Sequence, residues 1–197
     1  MDLLWPQYNL NKSTTQLHTA IYQIRKVMKE SGLNIEIKYK EGGYSLVLKE
    51  VDIDFQEWES AVREAPPLSV DTLDLHLGIM KTYQGHLLEQ SQYSWAILEQ
   101  ERLQRIWLNH VQQIAELYLS LANYSEALVL YQQIVEKLPF TEVGYFGLMQ
   151  INDILHFPIE VKKQYDLLCE RLLEAFDMTP SKKVMLWYEE WSVTSIR

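Results

Sequence analysis

The sequence predicts a mainly α-helical chain, a helical repeat array preceded by one helix and a short β-hairpin. Three observations carry this prediction. From Leu68 onward apolar residues return every three or four positions, the spacing of helices buried on one side. Over much of that stretch the same apolar pattern recurs 34 residues later. Only residues 35–48 alternate apolar and polar side chains in the manner of strands.

Composition sets the frame. The chain has 197 residues, 47% of them hydrophobic, with only 7 Gly and 6 Pro, which favours packed structure over disorder. The opening MDLLWPQYNLNK lacks a basic start and is interrupted by Pro6, so no signal peptide is expected. The apolar runs fall short of the ~20 residues that span a bilayer. A soluble, cytoplasmic protein is the expectation. Cys169 is the single cysteine; it cannot form an intrachain disulfide, and its apolar helical setting reads as an inert core thiol.

The first element is a helix opening at Ser13, a good N-cap, with Gln16 completing a capping-box pattern. Leu17, Ala20, Ile21, Ile24, Val27 and Met28 form its apolar face. Thr15, Thr19, Tyr22, Gln23 and Lys26 lie opposite, with Gln16 and Arg25 at the flanks. Ser31-Gly32 ends the helix. Ile35, Ile37 and Tyr39 then alternate with Glu36, Lys38 and Lys40; Glu41-Gly42-Gly43 turns the chain; Tyr44, Leu46 and Leu48 alternate along a second strand.

Charge is unevenly divided. Residues 1–50 carry seven Lys/Arg against five acids, a balance of +2, while the remainder carries eleven against twenty-two, a balance of −11. Only the head therefore has the sign to meet phosphate. The polar helix face has the chemistry to read DNA, since Gln and Thr can hydrogen-bond base edges and Lys and Arg neutralise phosphates. Periodicity by itself favours the plainer reading, a solvated face of an ordinary amphipathic helix.

The strings Leu4-Trp5-Pro6, Leu17-x-x-x-Ile21-x-x-Ile24-Arg25-Lys26 and Gly43-Tyr44-Ser45-Leu46 resemble the second half of an OmpR/PhoB-type winged helix, over roughly residues 3–49. The resemblance implies that Gln16, Thr19 and Gln23 face bases. It implies that Thr15, Tyr22, Arg25 and Lys26 contact base edges or backbone, and that Lys38 and Lys40 sit on the wing near phosphate or the minor groove. The helix has fewer Arg than many relatives, which weakens the case for guanine readout. The small sheet and earlier helix that open such a domain have no counterpart here, so a truncated winged helix is expected, poor at binding DNA in isolation.

Residues 51–65 leave the wing and enter the first helix of a second domain, which Pro66-Pro67 break. Beyond it Val111, Ile114, Leu117, Leu121, Ala127, Tyr131, Ile134 and Leu138 match Tyr145, Leu148, Ile151, Leu155, Val161, Tyr165, Leu168 and Leu172. Leu77, Met80, Tyr83 and Leu87 extend the series upstream, while residues 88–106 fit it poorly. Thirty-four residues is the tetratricopeptide period, two antiparallel helices per repeat. Asn123-Tyr124-Ser125, Pro139, Thr141-Glu142, Phe157-Pro158 and Thr179-Pro180 punctuate it. The fold class is thus mainly α: a tetratricopeptide-like helical repeat domain preceded by the recognition helix and β-hairpin wing of a truncated winged helix.

Asp54-Phe55, Tyr83-Gln-Gly85-His-Leu87-Leu88, Trp95, Tyr124-Ser-Glu126-Ala127-Leu128, Leu138-Pro139-Phe140-Thr-Glu142 and Thr179-Pro-Ser181 resemble the bacterial transcriptional activation domain of the AfsR/SARP regulators, over about residues 52–190. The resemblance implies a division at 1–50 and 51–197. It implies promoter DNA as partner of the full-length protein, and a second copy or another protein as partner of the repeats. Some relatives carry a receiver domain ahead of the winged helix, which would make the parent a response regulator.

His18, His76, His86, His110 and His156 form no HExxH or HxH and are expected on helix surfaces or boundaries. Gly42-Gly43 is a turn, not a phosphate cradle. Asp52/Asp54, Glu57/Glu59 and Glu189-Glu190 read as a linker, a helix start and a solvated helix end. No nucleophile–base pair emerges, so a non-enzymatic protein without metal, cofactor or membrane partner is expected. The alternative from another class is a tetratricopeptide-type adaptor whose N-terminal segment is only structural. A small-ligand sensor in the concave repeat surface is a third, with no specific residue to recommend it.

Overall fold

The computed structural model describes residues 4–32, 34–49, 51–83, 85, 87–88 and 93–195. Leu3, Gln84 and His86, which took part in the sequence reading, lie outside them.

Helix α1 spans Leu10–Glu30, four residues longer at its start than the Ser13 cap predicts. Asn9 is the N-cap instead, and its side chain accepts from the Lys12 N–H at 3.0 Å. Asn is as good a cap as Ser, so the earlier of two competent residues prevails and Ser13 is buried inside the helix. The end is as expected: Ser31 caps, and Gly32 follows with φ +71°.

Strands β1 (Ile35–Lys40) and β2 (Gly43–Leu48) pair antiparallel around a Glu41-Gly42 turn. Both turn residues have positive φ, 55° and 82°, the geometry of a two-residue turn whose twist matches the strands. The register opposes Ile35 to Leu48, Ile37 to Leu46 and Tyr39 to Tyr44, so all six apolar side chains share one face. That face packs against α1 only in part. Ile35, Ile37 and Tyr44 are half-buried, whereas Leu46 is 55% exposed and Val27 of α1 60% exposed.

Seven helices follow: α2 (Asp54–Glu64), α3 (Leu73–Thr82), α4 (Ile97–Ser120), α5 (Tyr124–Lys137), α6 (Glu142–Ile154), α7 (Pro158–Phe176) and α8 (Lys182–Ser195). Pro66-Pro67 break the chain after α2, and Pro158 opens α7 at its first turn, where a missing N–H is harmless. Two expected starts need correction. Thr141 sits at the N-cap of α6, yet its side chain makes no capping bond. The last helix begins at Lys182, not at Thr179-Pro180; Pro180 is buried ahead of it.

Sequential antiparallel packing joins α4 to α5, α5 to α6 and α6 to α7, with α2 and α3 laid against α4. Two cores result. Trp58, Leu103, Trp107, Val111, Ile114, Ala127, Tyr131 and Ile134 centre the first, and Tyr145, Met149, Val161, Leu168, Val184 and Trp191 the second. Ala127 and Val161, one period apart, are both fully buried where helices meet. The stretch 97–106, which breaks the period, is continuous with α4, a single 24-residue helix where two helices and a turn would keep the repeat.

Candidate nucleic-acid interface

Helical geometry puts Thr15, Thr19, Tyr22, Gln23 and Lys26 on one side of α1 and Gln16 at its edge. All six are exposed, and Tyr22 is 70% exposed. Among the described residues no element covers this face. The hydroxyls of Thr15 and Thr19 donate to Asn11 O and Thr15 O, at 3.1 and 3.0 Å. Their remaining capacity is to accept, which suits an amino group on a base edge rather than a carbonyl. The Gln16 and Gln23 carboxamides have no partner among the described residues, so each retains both donor and acceptor.

Arg25 lies on the other edge of the face and reaches back into the fold. Its Nη2 donates to Ile37 O of β1 at 2.8 Å, tying helix to hairpin. His18 adds an edge contact with Tyr44, ring centres 6.3 Å apart. Lys26 pairs loosely with Glu30 at 3.9 Å. On the hairpin, Lys38 and Lys40 are exposed and alternate with the apolar residues, so they occupy the face turned from the Ile35–Tyr39 side. Each has a local acid, Glu36 at 3.5 Å for Lys38 and Glu41 at 3.3 Å for Lys40. Lys49 and Lys38 hold the Glu36 carboxyl below its ordinary range, Lys49 through a hydrogen bond first.

The sequence reading missed two basic residues. Lys49 binds Glu36 across the strands. Lys29, one turn beyond Arg25, lines a small cleft between α1 and β1 together with Arg25, Ile37 and Lys38. Its four-residue spacing from Arg25 was the available signal. The predicted set thus separates into an exposed helix face (Thr15, Gln16, Thr19, Tyr22, Gln23, Lys26), a helix–hairpin tie (Arg25) and two lysines on the hairpin.

Beyond the hairpin, residues 55–190 match the family model described as bacterial transcriptional activator domain. The chain belongs to that family. The matched region runs from α2 into α8 and leaves α1 and the hairpin outside it. No curated protein matches the chain. The activator domain is a transcription-regulatory family rather than an enzyme family. Among the described residues no helix is long and apolar enough to cross a membrane, and no cluster of three or more His, Cys, Asp or Glu is placed to hold a metal ion.

Within the activator domain, polar residues that read as incidental in sequence are structural. Arg102 of α4 donates through both Nη atoms to Glu59 of α2, at 2.6 and 2.7 Å, and through Nε and Nη2 to Glu99. Glu59 is therefore a clamp between helices rather than a helix-start charge, and both acids are held below their ordinary range, chiefly by hydrogen bonds from Arg102. His76 and His110 depart from the expectation of surface histidines. They are 6% and 4% exposed, and His76 Nδ1 lies 2.9 Å from His110 Nε2. Their separation of 34 residues is one repeat period, so adjacent helices present them at equivalent positions. Cys169 is half-buried and stands outside both cores, not inside one as the sequence led one to expect, and burial pushes its thiol up.

Proposed function

We propose that the chain is the output part of a DNA-binding transcriptional regulator. Residues 1–50 form the second half of a winged helix that recognises a promoter, and residues 51–197 form the activation domain, which serves dimerisation or contact with another protein. The parent is a cytoplasmic, non-enzymatic response regulator of two-component signalling. The observation that carries this reading is the uncovered polar face of α1, Thr15 to Lys26, with the hairpin tied behind it through Arg25. A helix reads a major groove only if that face is free and its orientation is fixed. Membership of a transcriptional activator family supports it from the other end of the chain.

The test uses the full-length protein. A preferred duplex is selected from a random library, and affinity is then measured against salt. Each phosphate contact adds about 0.9 to the slope of log K on log salt, so steep loss of affinity with salt is expected. Gln23→Ala or Thr19→Ala should relax preference at one position, costing about 1–3 kcal/mol there. Lys26→Ala or Lys38→Ala should weaken all sequences alike and lower the slope by about 1. Indifference of binding to all four changes would refute the DNA assignment and leave a protein-binding adaptor.

A further inference from the structure

A cleft of about 410 Å³ opens between the α2–α3 connection and one face of α4. Its apolar wall includes Pro66, Pro67 and Leu68. Its polar wall is Arg105, Asn109 and Gln113, whose four-residue spacing aligns them along a single stripe of α4. His76 and His110, both buried, complete the lining.

Three features mark this cleft, whose polar stripe is exposed. Arg105, Asn109 and Gln113 have no hydrogen-bonding or ionic partner among the described residues, whereas Arg102, one turn away, is held by two carboxylates. Arg105 is the one arginine, lysine or acid in the lining, an uncommitted cation within a body whose balance is −11. The third feature is a missing donor. Pro66 O can only accept, so His76 donates to it through Nε2, at 3.0 Å. A neutral His76 then offers a lone pair on Nδ1, and His110 donates to it through Nε2. His110 Nδ1 is left as a bare acceptor, buried and without a partner. Burial, and then His76, push the His110 ring down to about 4, so at neutral pH a proton does not fill the vacancy. Buried polar atoms are rarely left in this condition.

We propose that this cleft binds a small organic carboxylate. Its anionic end forms the planar, two-pronged pair that Arg105 is built to make. Amide or hydroxyl groups in its middle meet Asn109 and Gln113, and its apolar body lies on the Pro66–Leu68 wall. The His110 ring, part of the cleft lining, senses the occupant through its changed surroundings, its Nδ1 being closed to solvent. The volume lies in the range of small-molecule sites. A singly charged acid fits better than a phosphate dianion, because one guanidinium is the whole of the local positive charge. The inference does not depend on DNA recognition, and the carboxylate could belong to a free metabolite or to the C-terminus of a peptide.

The experiment is a titration of the full chain followed by NMR of Arg105 and the histidine rings. The probes are hippurate, benzoate and N-acetylphenylalanine, each beside its neutral amide, and a hexapeptide with a free or an amidated C-terminus. A molecule the size of hippurate is expected to bind with Kd of about 1 mM. Saturable shifts at Arg105 and His110 should appear for the acids. They should weaken at least about tenfold for the amides and in Arg105→Gln, where a charge-assisted bond is lost. Arg105→Lys should recover part of the affinity. Tighter binding of the hexapeptide than of the small acids would assign the carboxylate to a peptide terminus; the reverse would assign it to a metabolite. The proposal is overturned if no acid saturates by about 10 mM. It is equally overturned if Arg105→Gln, an exposed position that leaves the core untouched, binds as well as the wild type.

Discussion

His110 ties the stability of the fold to pH. The free imidazole takes up a proton near 6.5, but the buried ring resists until about 4. Its stability contribution is therefore complete above pH 6.5 and is lost as pH falls towards 4, because only the unfolded chain binds the proton in between. The loss reaches at most about 3 kcal/mol, and less where the cleft admits water. The lowered carboxylates Glu59 and Glu99 weaken the fold only below their ordinary value of 4.5. Urea unfolding followed by circular dichroism should thus show wild type losing stability between pH 7 and 5, with His110→Phe nearly flat across that range. Equal slopes for the two proteins would remove His110 from the account. The sequence held half of this feature: the 34-residue separation was visible, but the hydrogen bond between the rings depends on how closely α3 and α4 approach, which no single-residue pattern encodes.

Between helices, glycine decides the spacing. A Cβ on Gly147 of α6 would stand 2.4 Å from ring carbons of Tyr131 on α5, and one on Gly144 would stand 2.7 Å from Val135 Cγ2. Tyr131 is 3% exposed and has no space to yield. Alanine is the better helix former by about 1 kcal/mol, yet overpacking costs about 1–3 kcal/mol, so the clash should prevail. Gly147→Ala is expected to destabilise by about 1–2 kcal/mol. Gly78 of α3 has nothing within 4 Å of its added Cβ, and there Gly78→Ala should stabilise by about 0.5–1 kcal/mol. Thermal melts of the two variants should move in opposite directions; shifts of the same sign would show that propensity or packing alone governs both. Ala127 stands in an apolar register that the sequence displays, whereas Gly144 and Gly147 lie outside that register and carry no such signal.

The same scale governs the tie between α1 and the hairpin. Arg25 joins the two through Ile37 O, so Arg25→Ala in the full-length protein should lower DNA affinity by letting the hairpin shift rather than by removing a phosphate contact. Its salt slope should stay at the wild-type value, while that of Lys26→Ala falls by about 1. A fall of about 1 for Arg25→Ala would place its guanidinium on phosphate instead.

At the scale of the whole chain, cohesion is concentrated in the helical body. Both cores are built from residues of α2 to α8, and the closely packed element pairs join those helices to one another, or α1 to β1 and β1 to β2, but not the hairpin unit to the body. In α1 only Ser13 and Ile21 are buried. The period that revealed the body in sequence reflects this cohesion, since each helix repeats the contacts of its predecessor; it failed over 88–106, where α4 runs on through the place of a turn. The first fifty residues were legible as elements but not as a packed unit, because Ile24, Val27, Tyr39, Leu46 and Leu48 of their apolar face stay exposed. Removing residues 1–50 should accordingly change the urea stability of the body by no more than about 0.5 kcal/mol, as for sites that share no partners. Native-state hydrogen exchange should agree, with strong protection over 103–172 and little over 10–48. A marked fall in body stability on truncation, or slow exchange along α1 equal to that of α4, would show that the two parts fold as one cooperative unit.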